Sequence, residues 1–374
     1  MKGMKSTEGS ILAPDDVILV TGGAGFIGSH LVRMLLARGY RVRVLDTFLY
    51  GQSGLDGCAG DAGLEIVEGD ICNVRDMMRA AKDAKAVIAL AALVGDGACE
   101  LDHDETIAIN IESTKLLCNV VQLSSCIERV VFASSCSVYG ATEGLVLNEG
   151  SLLNPVSFYA RSRIVSETIL SRELEGKSVA IMRLGTVFGA SARLRLDLMV
   201  NTMTCAAVST GRIRVTGGEA WRPHVHCCDV ANAFLLAAQA PHEKVSGEIF
   251  NVGSDGNNFT ISETAVIVAS QIPGTEIEYL ESVEDTRSYR VNFDKIRHVL
   301  GFAARYRIED GVQELRDVIL SGGIDAGDFR YSNLRYLQER GFRGQAYLSS
   351  AAGAADNGHA IGGGPRSEPE STAS

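Results

Sequence analysis

Tyr159 and Arg163, four residues apart in SFYARSRIVSE, are the first residues whose types and spacing could do chemistry. On a helix, positions i and i+4 project from one face. A free tyrosine has a pKa near about 10 and needs positive charge beside it to ionise readily near neutrality. The pair therefore suits general acid/base work on a hydroxyl group. An isolated YxxxR is more often an incidental pair on a surface helix, so the surroundings must decide. About twenty residues earlier, FASSCSVYG (132–140) closes an apolar run with small hydroxyls, among them Ser135. Such a strand end lies at the crevice where α/β proteins bind ligands.

A second constellation lies near the N-terminus. VILVTGGAGFIGSHL (17–31) is an apolar run, then glycines at 22, 25 and 28, then an amphipathic start. The pattern predicts a strand, a tight turn and a helix whose free N–H groups face a pyrophosphate. Eighteen residues beyond Gly28, the apolar run RVRVLD ends in Asp46. A carboxylate there accepts hydrogen bonds from the adenosine ribose hydroxyls and repels the 2′-phosphate of NADP, which predicts NAD as the cofactor. A third cluster, HVHCCD (224–229), puts His224 and His226 on one face of a strand beside two cysteines, a set that taken alone could hold zinc.

The elements that must position these residues alternate. Apolar strands VILVT, VRVLD, LEIVEGD, AVIALAA, RVVFASS and VAIMRL are separated by helical runs such as 104–123 and 157–172. Strands apolar throughout belong to a parallel sheet covered on both faces. The fold class is α/β, a Rossmann-type doubly wound parallel sheet with a smaller C-terminal substrate-binding lobe. The division expected is a flexible leader (1–14), an NAD-binding domain (15–190), a mainly substrate-binding lobe (191–345) and a disordered tail (346–374). With 374 residues, 46% hydrophobic and 22% charged, the chain can bury a large core. A formal charge of −11 argues against nucleic acid and against an anionic membrane surface as partners. Without a long apolar span or signal-like segment, and with nine cysteines not arranged as CxxC pairs, a cytoplasmic protein with reduced thiols is expected.

Taken together, TGGAGFIG, Asp46, GDI (69–71), ALAA (89–92), Asn110, SSCSVYG, Tyr159, WRPHVHCCDVANA and NVGS (251–254) resemble the extended short-chain dehydrogenase/reductase family. The similarity runs from about Val17 to Ser321 and is greatest to its NAD-dependent nucleotide-sugar epimerase/dehydratase group. The resemblance implies that Gly22, Gly25, Phe26, Ile27, Gly28, Asp46, Asp70, Ile71, Leu90, Ala91 and Asn110 meet the cofactor. Ser135 and Tyr159 match the catalytic hydroxyl pair, and position 163, normally lysine, holds the nicotinamide ribose and lowers the tyrosine pKa. Arg163 departs from that pattern, and arginine is longer and planar. For the substrate, a nucleotide-diphosphate sugar, the resemblance implies Ser135, Thr186 (often Asn in the family), Arg195, Arg222 and Arg287. It also implies no metal at HVHCCD, and a homodimer built from the helices at 104–123 and 157–172.

Two further departures select the reaction. The family's 4,6-dehydratases carry an Asp–Glu pair after the catalytic hydroxyl, where this chain has Cys136 and Ser137. Neither supplies a carboxyl group. What remains is an NAD-dependent epimerase, inverting C4 through a transient 4-keto sugar. The alternatives are a keto-sugar reductase or dehydrogenase, and a catalytically idle NAD-binding regulatory protein.

Overall fold

The computed structural model describes residues 12–281, 287–322 and 324–342. The expected leader, except for its last three residues, and the expected tail lie outside the described residues.

Seven strands form one parallel sheet. From one edge the order is Glu248–Val252, Ser178–Leu184, Arg129–Ser135, Ala84–Ala89, Val17–Thr21, Arg41–Asp46 and Leu64–Glu68. The chain thus starts in the middle, winds to one side, then returns and winds to the other. The strand order reverses between Val17–Thr21 and Ala84–Ala89, and their carboxyl ends flank the crevice where such sheets bind ligands.

The apolar strands follow from cover on both faces. Ile18, Val20, Val44, Ile88 and Val131 point to one side, against Leu31 and Leu35 of the helix Gly28–Leu36 and Phe234 of the helix Cys227–Gln239. Their neighbours Leu19, Leu45, Val87 and Val130 point to the other, against Met77, Leu117, Val121 and Leu170. Every residue of Val17–Thr21 and of Ser178–Leu184 is buried.

The lobe is built from short pieces. Asn258–Thr260, Trp221–His226 and Thr186–Phe188 form a three-stranded sheet, and two further strand pairs flank it. The helices Met199–Thr210, Ile261–Gln271 and Ile308–Leu320 close a core around Phe188, Ile213 and Val268. Two features add to the sequence reading. Glu248–Val252, from the span assigned mainly to the lobe, extends the main sheet beside Ser178–Leu184. The run 104–123 is interrupted: a π-helical turn, Ile107–Glu112, precedes the regular helix Ser113–Leu123. No described helix is long and apolar enough to cross a membrane.

Candidate active site

A cleft of about 1600 Å³ opens along the carboxyl ends of the central strands. Sites for one drug-sized ligand run to about 300–1,000 Å³, so this one has room for two molecules. Every site residue expected from the sequence lines it except Arg163 and Asn110.

The glycine turn forms the floor. Gly22 has φ +74°, and a Cβ there would lie 2.8 Å from the Ala91 nitrogen, so only glycine lets the first and fourth strand ends approach. A Cβ at Gly28 would lie 2.3 Å from the Gly22 carbonyl oxygen, which fixes how the helix leaves the turn. No side chain caps that helix start, and while the Ser29 and His30 amides turn back to the Gly25 and Ile27 carbonyls, the positive end of the helix faces the turn. Asp46 accepts from the Ala24 amide at 3.0 Å and the Phe48 amide at 2.9 Å. An ionised carboxylate has roughly four acceptor sites, so capacity remains for a pair of ribose hydroxyls. Burial raises the Asp46 pKa, against the pull of these amides and of Arg193. Asp70 caps its own turn by accepting from the Cys72 amide at 2.8 Å.

The catalytic pair sits at the end of Arg129–Ser135 and on the helix Phe158–Glu173, which Ser157 caps by accepting from the Ala160 amide at 3.2 Å. Ser135 and Tyr159 both face the cleft, and the Ser135 hydroxyl lowers the Tyr159 pKa. Arg163 is buried behind Tyr159, with its guanidinium carbon 5.4 Å from the Tyr159 ring centroid and 5.6 Å from that of Phe132. Its Nη1 donates to the Ala133 carbonyl at 3.3 Å, while Nε and Nη2 are buried with no hydrogen-bond partner. Burial raises the Tyr159 pKa, and the Arg163 charge and the Ser135 hydroxyl pull it part of the way back.

Asn110 does not line the cleft and is buried beside it. Its side chain accepts from the Leu93 amide at 2.9 Å, donates to the Leu93 carbonyl at 3.0 Å and donates to Ser162 Oγ at 3.2 Å. It is buried behind the wall that Leu93 forms. Ser166 Oγ donates to the Asn110 carbonyl at 2.7 Å, so Ser162 and Ser166 bring the Tyr159 helix close to the π turn. One turn on, Glu167 forms a buried pair with Arg183, at 3.0 and 2.7 Å, and accepts from Ser134 Oγ. Arg183 reaches on to Tyr139 Oη at 3.1 Å, and Tyr139 donates to Asn251 at 2.7 Å. Sequence reasoning did not find this network, because its members are far apart in the chain.

Cys136 points away from the cleft. It is buried, its Sγ lies 3.3 Å from the Arg183 carbonyl oxygen, and burial pushes its thiol pKa up. Ser137 does line the cleft, and its buried hydroxyl has no partner in the protein.

At the far end, Arg222 is buried over the Tyr289 ring and donates to the Trp221 carbonyl at 2.8 Å and to the Arg287 carbonyl. Arg287 pairs with Asp96, and Arg195 grips Asp197 with two bonds of 3.0 Å. Thr186, which opens the short strand Thr186–Phe188, also lines the cleft.

The C-terminal helix Asn333–Arg340 completes the wall, which the sequence did not reveal. Leu337 packs with Leu93, Ala98 and Cys99 in a cluster that Tyr159 also joins. Tyr336 meets Tyr50 edge-on at 4.9 Å, and Arg193 stacks on Tyr50 at 4.2 Å. The available signals were the Ser332 cap and the Leu334/Leu337 spacing, which mark a helix but not the surface it covers.

His224 and His226 diverge. His224 bonds Thr264 at 3.1 Å and is held neutral by burial, with its pKa near about 3. His226 bonds Glu314 at 3.0 Å and stacks on Tyr306.

The uncapped helix start and the spare acceptors of Asp46 suit a dinucleotide, and the hydroxyl pair suits a sugar-like alcohol. Fold and site define a dinucleotide-dependent enzyme of the extended short-chain dehydrogenase/reductase class. The model of the NAD dependent epimerase/dehydratase family matches residues 18–253. That is well over half of the chain, which belongs to this family, and the cofactor is NAD.

Among curated relatives, a UDP-glucose 4-epimerase of Bacillus subtilis is 28% identical over 294 residues, covering 70% of this chain and 84% of its own. A UDP-N-acetyl-alpha-D-glucosaminuronate decarboxylase of Bacillus cytotoxicus is 28% identical over 314 residues, covering 79% and 95%. Among solved structures, MoeE5 in complex with UDP-glucuronic acid and NAD is 28% identical, with a TM-score of 0.70 over 82% of this chain and 99% of its own.

Proposed function

We propose that the chain is an NAD-dependent nucleotide-sugar epimerase acting at C4 through a transient 4-keto sugar. The observation that carries this reading is the chemistry of positions 135–137 beside Tyr159. Ser135 and Ser137 line the cleft, while Cys136 is turned into the core. No carboxyl group stands at these positions to assist elimination of water, whereas oxidation and re-reduction of an alcohol need only the hydroxyl pair and the cofactor. Relatives named as UDP-sugar 4-epimerases favour the same reading.

In this mechanism the Ser135 hydroxyl orients the sugar hydroxyl, and Tyr159 Oη takes its proton. Arg163, buried behind the tyrosine ring, favours the anionic form of Tyr159. NAD, held by the glycine turn and Asp46, supplies a reversible two-electron hydride acceptor. Rotation of the keto sugar before it is reduced inverts the centre, and Tyr159 returns the proton. Arg222 and Arg287 face the diphosphate, since guanidinium groups match phosphate geometry.

The test is incubation of the purified protein with UDP-, dTDP-, GDP- and CDP-sugars without added cofactor, followed by chromatography of isomers. A C4 isomer formed with no net NADH supports the reading. Stoichiometric NADH, or carbon dioxide from a uronic acid, replaces it with a dehydrogenase or a decarboxylase.

A further inference from the structure

The fold brings His30, from the helix after the glycine turn, to the two adjacent cysteines that open the helix Cys227–Gln239. His30 Nε2 lies 3.4 Å from Cys227 Sγ and 3.9 Å from Cys228 Sγ, and the three ligand atoms all lie within 4.8 Å of one another. The Ala190 carbonyl oxygen is 3.0 Å from His30 Nε2 and 3.2 Å from Cys227 Sγ. None of these side chains lines the cleft described above.

We propose that His30, Cys227 and Cys228 bind a zinc ion, with the Ala190 carbonyl or a water as the fourth ligand. Geometry supports this: tetrahedral zinc with sulfur at about 2.3 Å and nitrogen at about 2.0–2.1 Å separates N from S by roughly 3.5 Å. Two thiolates and an imidazole are also a soft donor set that selects such an ion over magnesium or calcium. Cys227 is buried, whereas His30 and Cys228 are half-buried, which gives the ion a side from which to enter. The site shares the two cysteines of HVHCCD, where the family resemblance implies no metal, but takes its histidine from His30, because the His224 and His226 side chains go to Thr264 and Glu314. The bound ion links the helix that carries the glycine turn to the helix that follows the lobe strand Trp221–His226. Its effect is therefore structural, and it takes no part in the sugar chemistry.

The test uses the full chain, reduced and stripped of metal, titrated with Cd²⁺ and then with Zn²⁺. Thiolate-to-cadmium absorbance and the thermal midpoint are followed together. The expected result is one equivalent bound, a higher midpoint with metal, and affinity at least about a hundredfold lower in Cys228→Ser and in His30→Gln. Loss of an outer-shell partner alone costs 10–100-fold, so loss of a ligand costs at least the upper end of that range. Cys126→Ser, at an exposed free cysteine elsewhere, binds as wild type. Midpoints measured without metal show that the variants are folded. The proposal is overturned if Cys228→Ser and His30→Gln bind cadmium like wild type, or if one-to-one binding is absent at micromolar metal.

Discussion

Arg193 Nη2 donates to Asn333 Oδ1 at 2.7 Å and so fastens the C-terminal helix to the lobe across the mouth of the cleft. The Asn333 amide donates back to Asp197 Oδ2 at 2.9 Å, and the Leu196 amide to the Tyr331 carbonyl at 2.8 Å. Burial lowers the Arg193 pKa to about 10, so this cation depends on its few partners. Asn333→Ala removes one of them, and Leu337→Ala hollows the cluster beside Tyr159. Each is expected to release bound NAD at least about tenfold faster, equivalent to about 1.4 kcal/mol, within the cost of one buried polar bond or part of a buried side chain. Exchange of bound NAD for added NADH, followed by NADH fluorescence, measures the rate. An unchanged rate in both variants shows that this helix does not retain the cofactor.

Asp46 sets the cofactor preference by charge. The wild-type protein is expected to bind NAD at least about tenfold more tightly than NADP, because the 2′-phosphate would meet a carboxylate already ringed by amides. Asp46→Asn keeps one acceptor oxygen and removes the charge, so the preference narrows. Isothermal titration of both cofactors into cofactor-free protein decides the point.

The parts legible in the sequence are those where one short segment carries its own physics. The Gly22–Gly28 turn, Asp46 at a strand end and the Tyr159–Arg163 spacing are local patterns, and the sheet that holds them follows from uniformly apolar strands. What stayed hidden depends on packing between distant segments. Asn110 has the residue type of a ligand contact, but the π turn directs it to the Leu93 backbone. Glu248–Val252 reads as a short strand of either unit, and only its pairing with Ser178–Leu184 assigns it to the main sheet. The spacing in 333–340 marks an amphipathic helix without naming its partner surface.

The Glu167–Arg183 pair is a second place where one change has large consequences. Both side chains are buried, and hydrogen bonding to Glu167 and its negative charge overcome burial to hold the Arg183 pKa above its usual value. Removing one partner leaves an uncompensated charge, so Glu167→Leu or Arg183→Met is expected to destabilise the fold by about 3–5 kcal/mol. The double variant recovers much of that loss, because no charge is left unmatched. Urea unfolding of the three variants gives the coupling. Equal losses that simply add would show that the pair is not coupled.

A homodimer is expected from apolar surface left open on the two helices beside the catalytic residues. Ile107 is 37% exposed, Val165 41% and Leu123 77%, although burial elsewhere on these helices is extensive. Light scattering at micromolar concentration should give a mass near twice the 39.9 kDa of the chain. Val165→Glu, on the Tyr159 helix but on its exposed side, should shift the protein towards monomer without unfolding it. A wild-type mass of a single chain removes the dimer.

The sharpest test of the catalytic reading lies at Tyr159 and Arg163. Tyr159→Phe removes the proton acceptor and is expected to lower turnover at least about a hundredfold, the usual scale for a positioned acid/base group. Arg163→Lys retains the positive charge and should cost far less. Arg163→Met removes the charge beneath the ring together with the two spare donors, and should be much worse. The pH profile identifies the cause. Burial already raises the Tyr159 pKa and the Arg163 charge opposes that rise, so loss of the cation lets the pKa climb further. Tyrosinate, the form that accepts the proton, then predominates only at higher pH, and the rising limb of the rate profile moves upward. A fold defect alone would lower the rate at every pH without moving that limb. If Arg163→Met matches wild type in both rate and pH dependence, Arg163 does not support Tyr159, and the chain is better read as a protein that binds NAD without turning over a sugar.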